Sequence, residues 1–166
     1  MPTADDIIRD LIATGRQATA NELDIIIAHV AQAPFATYLS RVPRELRALL
    51  AAYGIQVPAR IPSVERHLLK RIYDEQQWPV GTTVDVYVDD LHRAVRHPDV
   101  RMWTYRYYGR PYAGFMAPSH VRAVPKPLAF IYVAYDPQFS AITTGYQASG
   151  YGAVFDQNCS DIARHR

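Results

Sequence analysis

His67, Lys70, Arg71 and Asp74 fall within two helical turns of one another. At about 100° per residue they occupy one face of a helix, opposite an apolar arc of Val64, Leu68, Leu69 and Ile72. His67 and Arg71 stand at the border of that arc, where side chains can reach the rim of a neighbouring sheet. A histidine beside Lys or Arg can cleave RNA without a metal. One group takes the proton from the ribose 2′-OH, a cation stabilises the charged phosphate, and a donor protonates the leaving oxygen. The same residues also suit an ordinary solvated helix face.

A second group of chemical interest lies near the end of the chain. Strand alternation places Ile142, Thr144 and Tyr146 on one face, with Thr143 and Gln147 on the other. The hydroxyls beside Gly145 could contact a phosphate oxygen, and the glycine would admit close backbone approach. Thr and Tyr are also favoured in strands for their own sake. His92 and His97 are five residues apart at a helix end and do not share a face as metal ligands would. The chain has no His-Glu-x-x-His motif, cysteine pair, phosphate-binding glycine loop, Gly-x-Ser-x-Gly elbow or dinucleotide fingerprint. The expectation is a site that uses neither metal nor cofactor, or no catalytic site.

From Val100 to Tyr135 the chain carries Arg101, Arg106, Arg110, Arg122 and Lys126 without one Asp or Glu. Aromatic residues alternate with these cations, among them Trp103, Tyr105, Tyr107, Tyr108 and Tyr112. Cations bind phosphates and aromatic faces stack on bases, so the segment reads as an RNA footprint with Arg101, Arg106, Tyr107, Arg110 and Arg122 as contacts. The net charge of +2 is too small to argue for nucleic acid, so only the distribution is informative. With 166 residues the chain can bury a sizeable core. The lone Cys159 cannot form an internal disulfide, which points to a reducing site of folding. Asp5, Asp6, Arg9 and Asp10 interrupt any early apolar run, which argues against a secretory signal, and no stretch approaches bilayer length. The expected location is cytoplasmic, away from membranes.

The elements that must position these residues are helical in the first half. Thr3 caps a helix that ends at Gly15, and a second starts near Thr19 and runs to Pro34. A third has Pro43 in its first turn and Gly54 at its end, before a Pro-containing connection over 55–62. One helix then opens at Ser63 and runs to about Gln77, and another is capped by Thr82 or Thr83 and closes at His97–Pro98. Four strands follow, at about 100–108, 112–117, 128–135 and 141–148, with Ile131 and Val133 on the most apolar and central one. The expected fold is α+β: N-terminal helices, then two helices packed on a four-stranded antiparallel β-sheet. The expected divisions are a helical N-terminal module (1–58), an α+β unit (59–150) and a loosely held tail (151–166).

This order of features resembles the barnase–EndoU–colicin–RelE-like superfamily of toxin RNases. The likeness rests on His67-Leu68-Leu69-Lys70-Arg71 in a helix, on Ile131-Tyr132-Val133-Ala134-Tyr135-Asp136-Pro137, and on the final strand Ile142-Thr143-Thr144-Gly145-Tyr146. It covers about residues 60–148. The resemblance implies two helices on a four-stranded antiparallel sheet, with His67, Lys70 or Arg71 facing Thr144 and Tyr146 and with Arg106 as a phosphate contact. It implies RNA as the partner, together with a cognate antitoxin or immunity protein. The competing expectation is a non-catalytic module, either a protein-interaction factor that uses its Tyr-rich surface or an RNA-binding domain without turnover.

Overall fold

A computed structural model describes residues 1–166. Helix α1 (Ala4–Thr14) and helix α2 (Ala20–Val30) each begin with a reciprocal capping box, Thr3 with Asp6 and Thr19 with Glu22. Both present one apolar stripe. That stripe enters the same buried cluster as the main sheet, through Ile7, Ile8, Leu11, Ile26 and Val30. Residues 1–58, set apart in the sequence reading, therefore supply part of the central core. Helix α3 (Arg44–Ala52) instead packs on a two-stranded ribbon of β1 (Leu39–Arg41) and β2 (Arg60–Pro62), with Leu46, Leu50 and Ile61 inside.

Helix α4 (Ser63–Leu69) follows directly and does not continue as an α-helix to Gln77. Lys70–Asp74 form a π-helical turn, closed by the Glu75 amide donating to the Lys70 carbonyl at 3.0 Å. Helix α5 (Val84–Val95) is capped by the Thr83 hydroxyl and buries Tyr87, Leu91, Ala94 and Val95.

The remaining strands form one antiparallel sheet in the order β6-β5-β4-β3-β7. They are β3 (Arg101–Tyr107), β4 (Arg110–Pro118), β5 (Phe130–Asp136), β6 (Ala141–Ala148) and β7 (Cys159–Arg164). The α+β class is as expected, and Ile131 and Val133 are fully buried. The sheet has five strands rather than four. The segment 151–166 is no loose tail: after a 3₁₀ turn at Tyr151–Ala153 it returns as β7 beside β3. No helix is long and apolar enough to cross a membrane.

The sheet has two unlike faces. One meets α1, α2 and α5 through Met102, Phe115, Ile131, Val133 and Ile142. The other carries Trp103, Tyr105, Tyr132 and Tyr146, partly covered by Val154 and Phe155. Gly114 makes the second face possible. A Cβ there would lie 2.6 Å from the Tyr132 hydroxyl, so only glycine lets Tyr105 and Tyr132 meet over β4.

The outer edge of β6 is closed along its length by groups from the helical half. Pro34 and Ala36 pair with Ile142, Arg71 and Tyr87 donate to the Gly145 carbonyl, and the Gln77 amide pairs with both backbone groups of Gln147. Gly145 faces α5, where a Cβ would run into both methyls of the buried Leu91. Gly145→Ala should therefore cost about 1–3 kcal/mol in urea unfolding through overpacking. Leu91→Ala loses stability to its own cavity, but in that background the glycine change should cost less. Additive effects of the two changes would mean that this contact is not what restricts position 145.

Candidate functional site

The aromatic face of the sheet and the C-terminal end of α4 enclose a cleft of about 510 Å³. Helix α4 contributes Arg66 and His67. The strands contribute Tyr105, Tyr107, Tyr112, Tyr132, Thr143, Thr144 and Tyr146, and the segment from Ala153 to Cys159 forms one wall. Three of the five residues expected to do chemistry, His67, Thr144 and Tyr146, line this cleft, and Arg71 lies directly behind them. His67 Nδ1 lies 3.3 Å from Thr144 Oγ1 and 3.4 Å from Arg71 Nη2, and the Arg71 guanidinium sits 5.2 Å from the Tyr146 ring centroid.

Lys70 does not join them. Its side chain is exposed, 3.8 Å from Glu75 and outside the cleft. Arg71 sits behind the cleft rather than in it. Its side chain is only 6% exposed, and it donates to the Gly145 carbonyl (2.8 Å), Glu75 (2.8 Å) and Thr144 (3.0 Å). A guanidinium so committed positions Thr144 and His67 and has little left to grip a substrate.

A β-bulge corrects the expected alternation on the last strand. Ala134 pairs with Thr144 and Tyr135 with Ile142, which leaves Thr143 unopposed. Thr143 and Thr144 consequently both line the cleft with Tyr146, while Ile142 turns into the helical core. Gly145 does not open a path for a phosphate, because its bare side is filled by Leu91.

His67 is wedged between cations. Arg66 Nη2 lies 3.1 Å from its Nε2, and its ring packs against Phe35 at 5.5 Å. Burial first, then the charges of Arg71, Arg66 and Lys70, push its imidazole down from its ordinary 6.5 to about 2. The ring is therefore neutral. Arginine can only donate, and Arg66 at 3.1 Å is closer to Nε2 than Arg71 at 3.4 Å is to Nδ1. Nε2 is therefore assigned as the acceptor and the proton to Nδ1, where Thr144 Oγ1 at 3.3 Å accepts it and Arg71 makes no hydrogen bond to the ring. Thr144 then accepts from both Arg71 and His67, which leaves its own O–H to donate into the cleft. Arg66 Nε also donates to Ser40 at 2.6 Å, and no carboxylate pairs with this arginine.

Buried tyrosines make up the floor. The hydroxyls of Tyr105 and Tyr132 hydrogen-bond at 2.5 Å, and burial holds both far above the ordinary phenol range. Burial also raises Tyr146, to about 12. All three keep their protons at neutral pH, so the cleft offers neutral O–H groups beside one uncompensated guanidinium.

The expected RNA contacts do not form a single surface. Of the five, only Tyr107 lines the cleft. Arg106 is tied to Asp161 at 3.1 Å and Arg110 to Asp136 at 2.6 Å. Arg101 stacks on Phe130 in a separate depression with Arg164 and Arg166, and Arg122 donates to the Leu128 carbonyl. Sequence reasoning did not single out Arg66, Tyr105, Tyr112, Tyr132 or Thr143 as site residues. The alternation of Trp103, Tyr105 and Tyr107 is the signal that could have found the tyrosine floor, whereas the bulge at Thr143 has no such signal. No family model, curated protein or solved structure matches the chain.

The neutral imidazole has a consequence for stability. In the unfolded chain His67 takes up a proton below about pH 6.5, and in the fold only near pH 2. Its contribution is thus present above pH 6.5 and is lost as pH falls, at up to about 1.4 kcal/mol per pH unit. His67→Gln should lose about 2 kcal/mol less stability than wild type between pH 7 and pH 5, read from urea midpoints. Parallel pH curves for the two proteins would show that His67 takes up its proton in the fold at the same pH as in the unfolded chain.

Proposed function

We propose that this chain is a metal-independent ribonuclease of the barnase–EndoU–colicin–RelE-like toxin kind, acting on cytosolic RNA. One observation carries the reading: a neutral imidazole held between Arg66 and Thr144 at the mouth of a tyrosine-lined cleft. Strand order adds support, since β3 to β6 form a meander with α4 at the rim of β6 and α5 on one face. That arrangement corresponds to the two helices and four strands of those toxins, with α1, α2, α3 and β7 as additions.

In this mechanism the phosphate takes Arg66 as its counter-ion. Arg66 then gives up the Nε2 lone pair of His67, and the negative charge brought in raises the basicity of the ring. His67 Nε2 accepts the proton of the ribose 2′-OH, and the 2′ oxygen attacks phosphorus. The bond to the 5′ oxygen breaks as that oxygen takes a proton from the neutral Tyr146 hydroxyl. Thr144 O–H donates to a non-bridging oxygen, where charge accumulates. The products are a 2′,3′-cyclic phosphate and a 5′-hydroxyl end. Arg71 is a positioning residue in this scheme, and Lys70 has no part in it.

Binding without turnover is the second reading. It is favoured by the low proton affinity of His67 in the free protein, which makes the ring a weak base until an anion arrives. Incubation of purified protein with total RNA and excess chelator separates the two. Wild type should yield fragments with cyclic phosphate ends, and His67→Ala should be slower by about two to four orders of magnitude. Equal fragmentation by both proteins, or RNA bound and left intact, would overturn the catalytic reading.

A further inference from the structure

A second depression of about 710 Å³ opens beside the cleft, and Tyr112 and Thr143 line both. Its rim carries Tyr38, 57% exposed, and Phe139, 61% exposed. These two large rings come from distant parts of the chain, one just before β1 and one in the turn between β5 and β6. Arg110 lies 5.3 Å from the Phe139 ring centroid. Its charge is already matched, because the buried carboxylate of Asp136 accepts from it at 2.6 Å and the Gln138 side chain at 3.2 Å.

These properties select among the parts of a nucleotide. A phosphate gains little beside an arginine that already holds a carboxylate, and it would be repelled by Asp136. A flat, uncharged, polarisable group gains from the exposed rings and from the stacked guanidinium face. Base stacking on such side chains is tolerant of sequence, as expected of a site lined mainly by rings. Because Tyr112 and Thr143 line both depressions, a group held there lies next to whatever phosphate sits at His67 and Arg66.

We infer that the Tyr38–Arg110–Phe139 depression is a base-stacking subsite for the nucleotide adjacent to the phosphate at His67. This inference rests on the ribonuclease reading and names its substrate more closely: single-stranded RNA of at least two nucleotides, unpaired so that one base can lie flat against Phe139. Arg110 here orients a base and is not one of the cations that neutralise phosphates. The two roles differ in salt dependence, since stacking releases no counter-ions.

The test uses the full chain and two RNA tetranucleotides, each with a 2′-deoxy residue at the cleft position to block cleavage. One carries 2-aminopurine on the 5′ side of that residue and the other on the 3′ side. Wild type should quench the fluorescence of one of the two on binding. Phe139→Ala and Tyr38→Ala change exposed side chains, and circular dichroism would verify their folding. Each should remove that quenching and weaken tetranucleotide binding about 5- to 150-fold, the range expected for one stacked base. Quenching that survives both variants, or a dinucleotide bound no more tightly than a mononucleotide, would overturn the subsite while His67-dependent cleavage stands. If no oligonucleotide binds and total RNA stays intact, both readings fall together.

Discussion

The buried guanidinium of Arg71 is the contact on which the rest of the site depends. It reaches from the π-helical turn to the open edge of β6 and answers three acceptors at once: Gly145 O, Glu75 and Thr144. A buried charge is tolerable only when paired and fully hydrogen-bonded, and Glu75 at the next helical position supplies the counter-charge. Removing Arg71 would leave that carboxylate only Lys70, 3.8 Å away, and the Gly145 carbonyl only Tyr87. Burial first, and then the same cation, depress the proton affinity of His67, so the fold-defining contact also contributes to the charge state of the candidate base. Structure and chemistry are coupled through one side chain that never enters the cleft.

Charge along the chain and charge in space prove to be different quantities here. The stretch 100–135 has no acidic residue, yet Asp136, the residue after it, and Asp161, far along in β7, fold back onto Arg110 and Arg106. Two of the most prominent cations are thereby neutralised by acids that the sequence window excluded. Arg66 is the reverse case. It belongs to a helix with Glu65 beside it, so it looks compensated in sequence, but it faces a hydroxyl and an imidazole. Anion attraction in the cleft therefore falls to a residue outside the apparent basic segment.

Helix ends were legible because they rest on local chemistry. Thr3, Thr19 and Thr83 cap as their types suggest, and the alternating strands β3 to β6 appear within a few residues of their expected bounds. What was not legible depends on partners distant in sequence. Strand β7 is polar, half-exposed and interrupted by Asp161 in a left-handed conformation, so nothing in Cys159–Arg164 alternates until β3 is beside it. The ribbon of β1 and β2 is three residues on each side, too short to impose a pattern. At the site, His67, Arg71, Thr144 and Tyr146 were readable from helix and strand periodicity. Thr143 was misplaced because a β-bulge inserts one residue into the strand periodicity, while the π-helical turn inserts one after Lys70, whose side chain turns to Glu75 outside the cleft.

Those two insertions solve one geometrical problem. Strand β6 must bury Ile142 and Gly145 against α5 and at the same time present several polar groups to the opposite face. Strict alternation would have given the cleft only every second residue. The bulge at Thr143 places two adjacent threonines there without moving Ile142 out of the core, and Gly145 keeps the back of the strand thin enough for Leu91. The π-helical turn makes the matching adjustment on the helix, turning Arg71 inward to hold the bulged strand while His67, one turn earlier, stays at the cleft. Irregular backbone is thus concentrated at the two segments that meet over Thr144, as expected where a fold has been bent to position side chains and not merely to pack them.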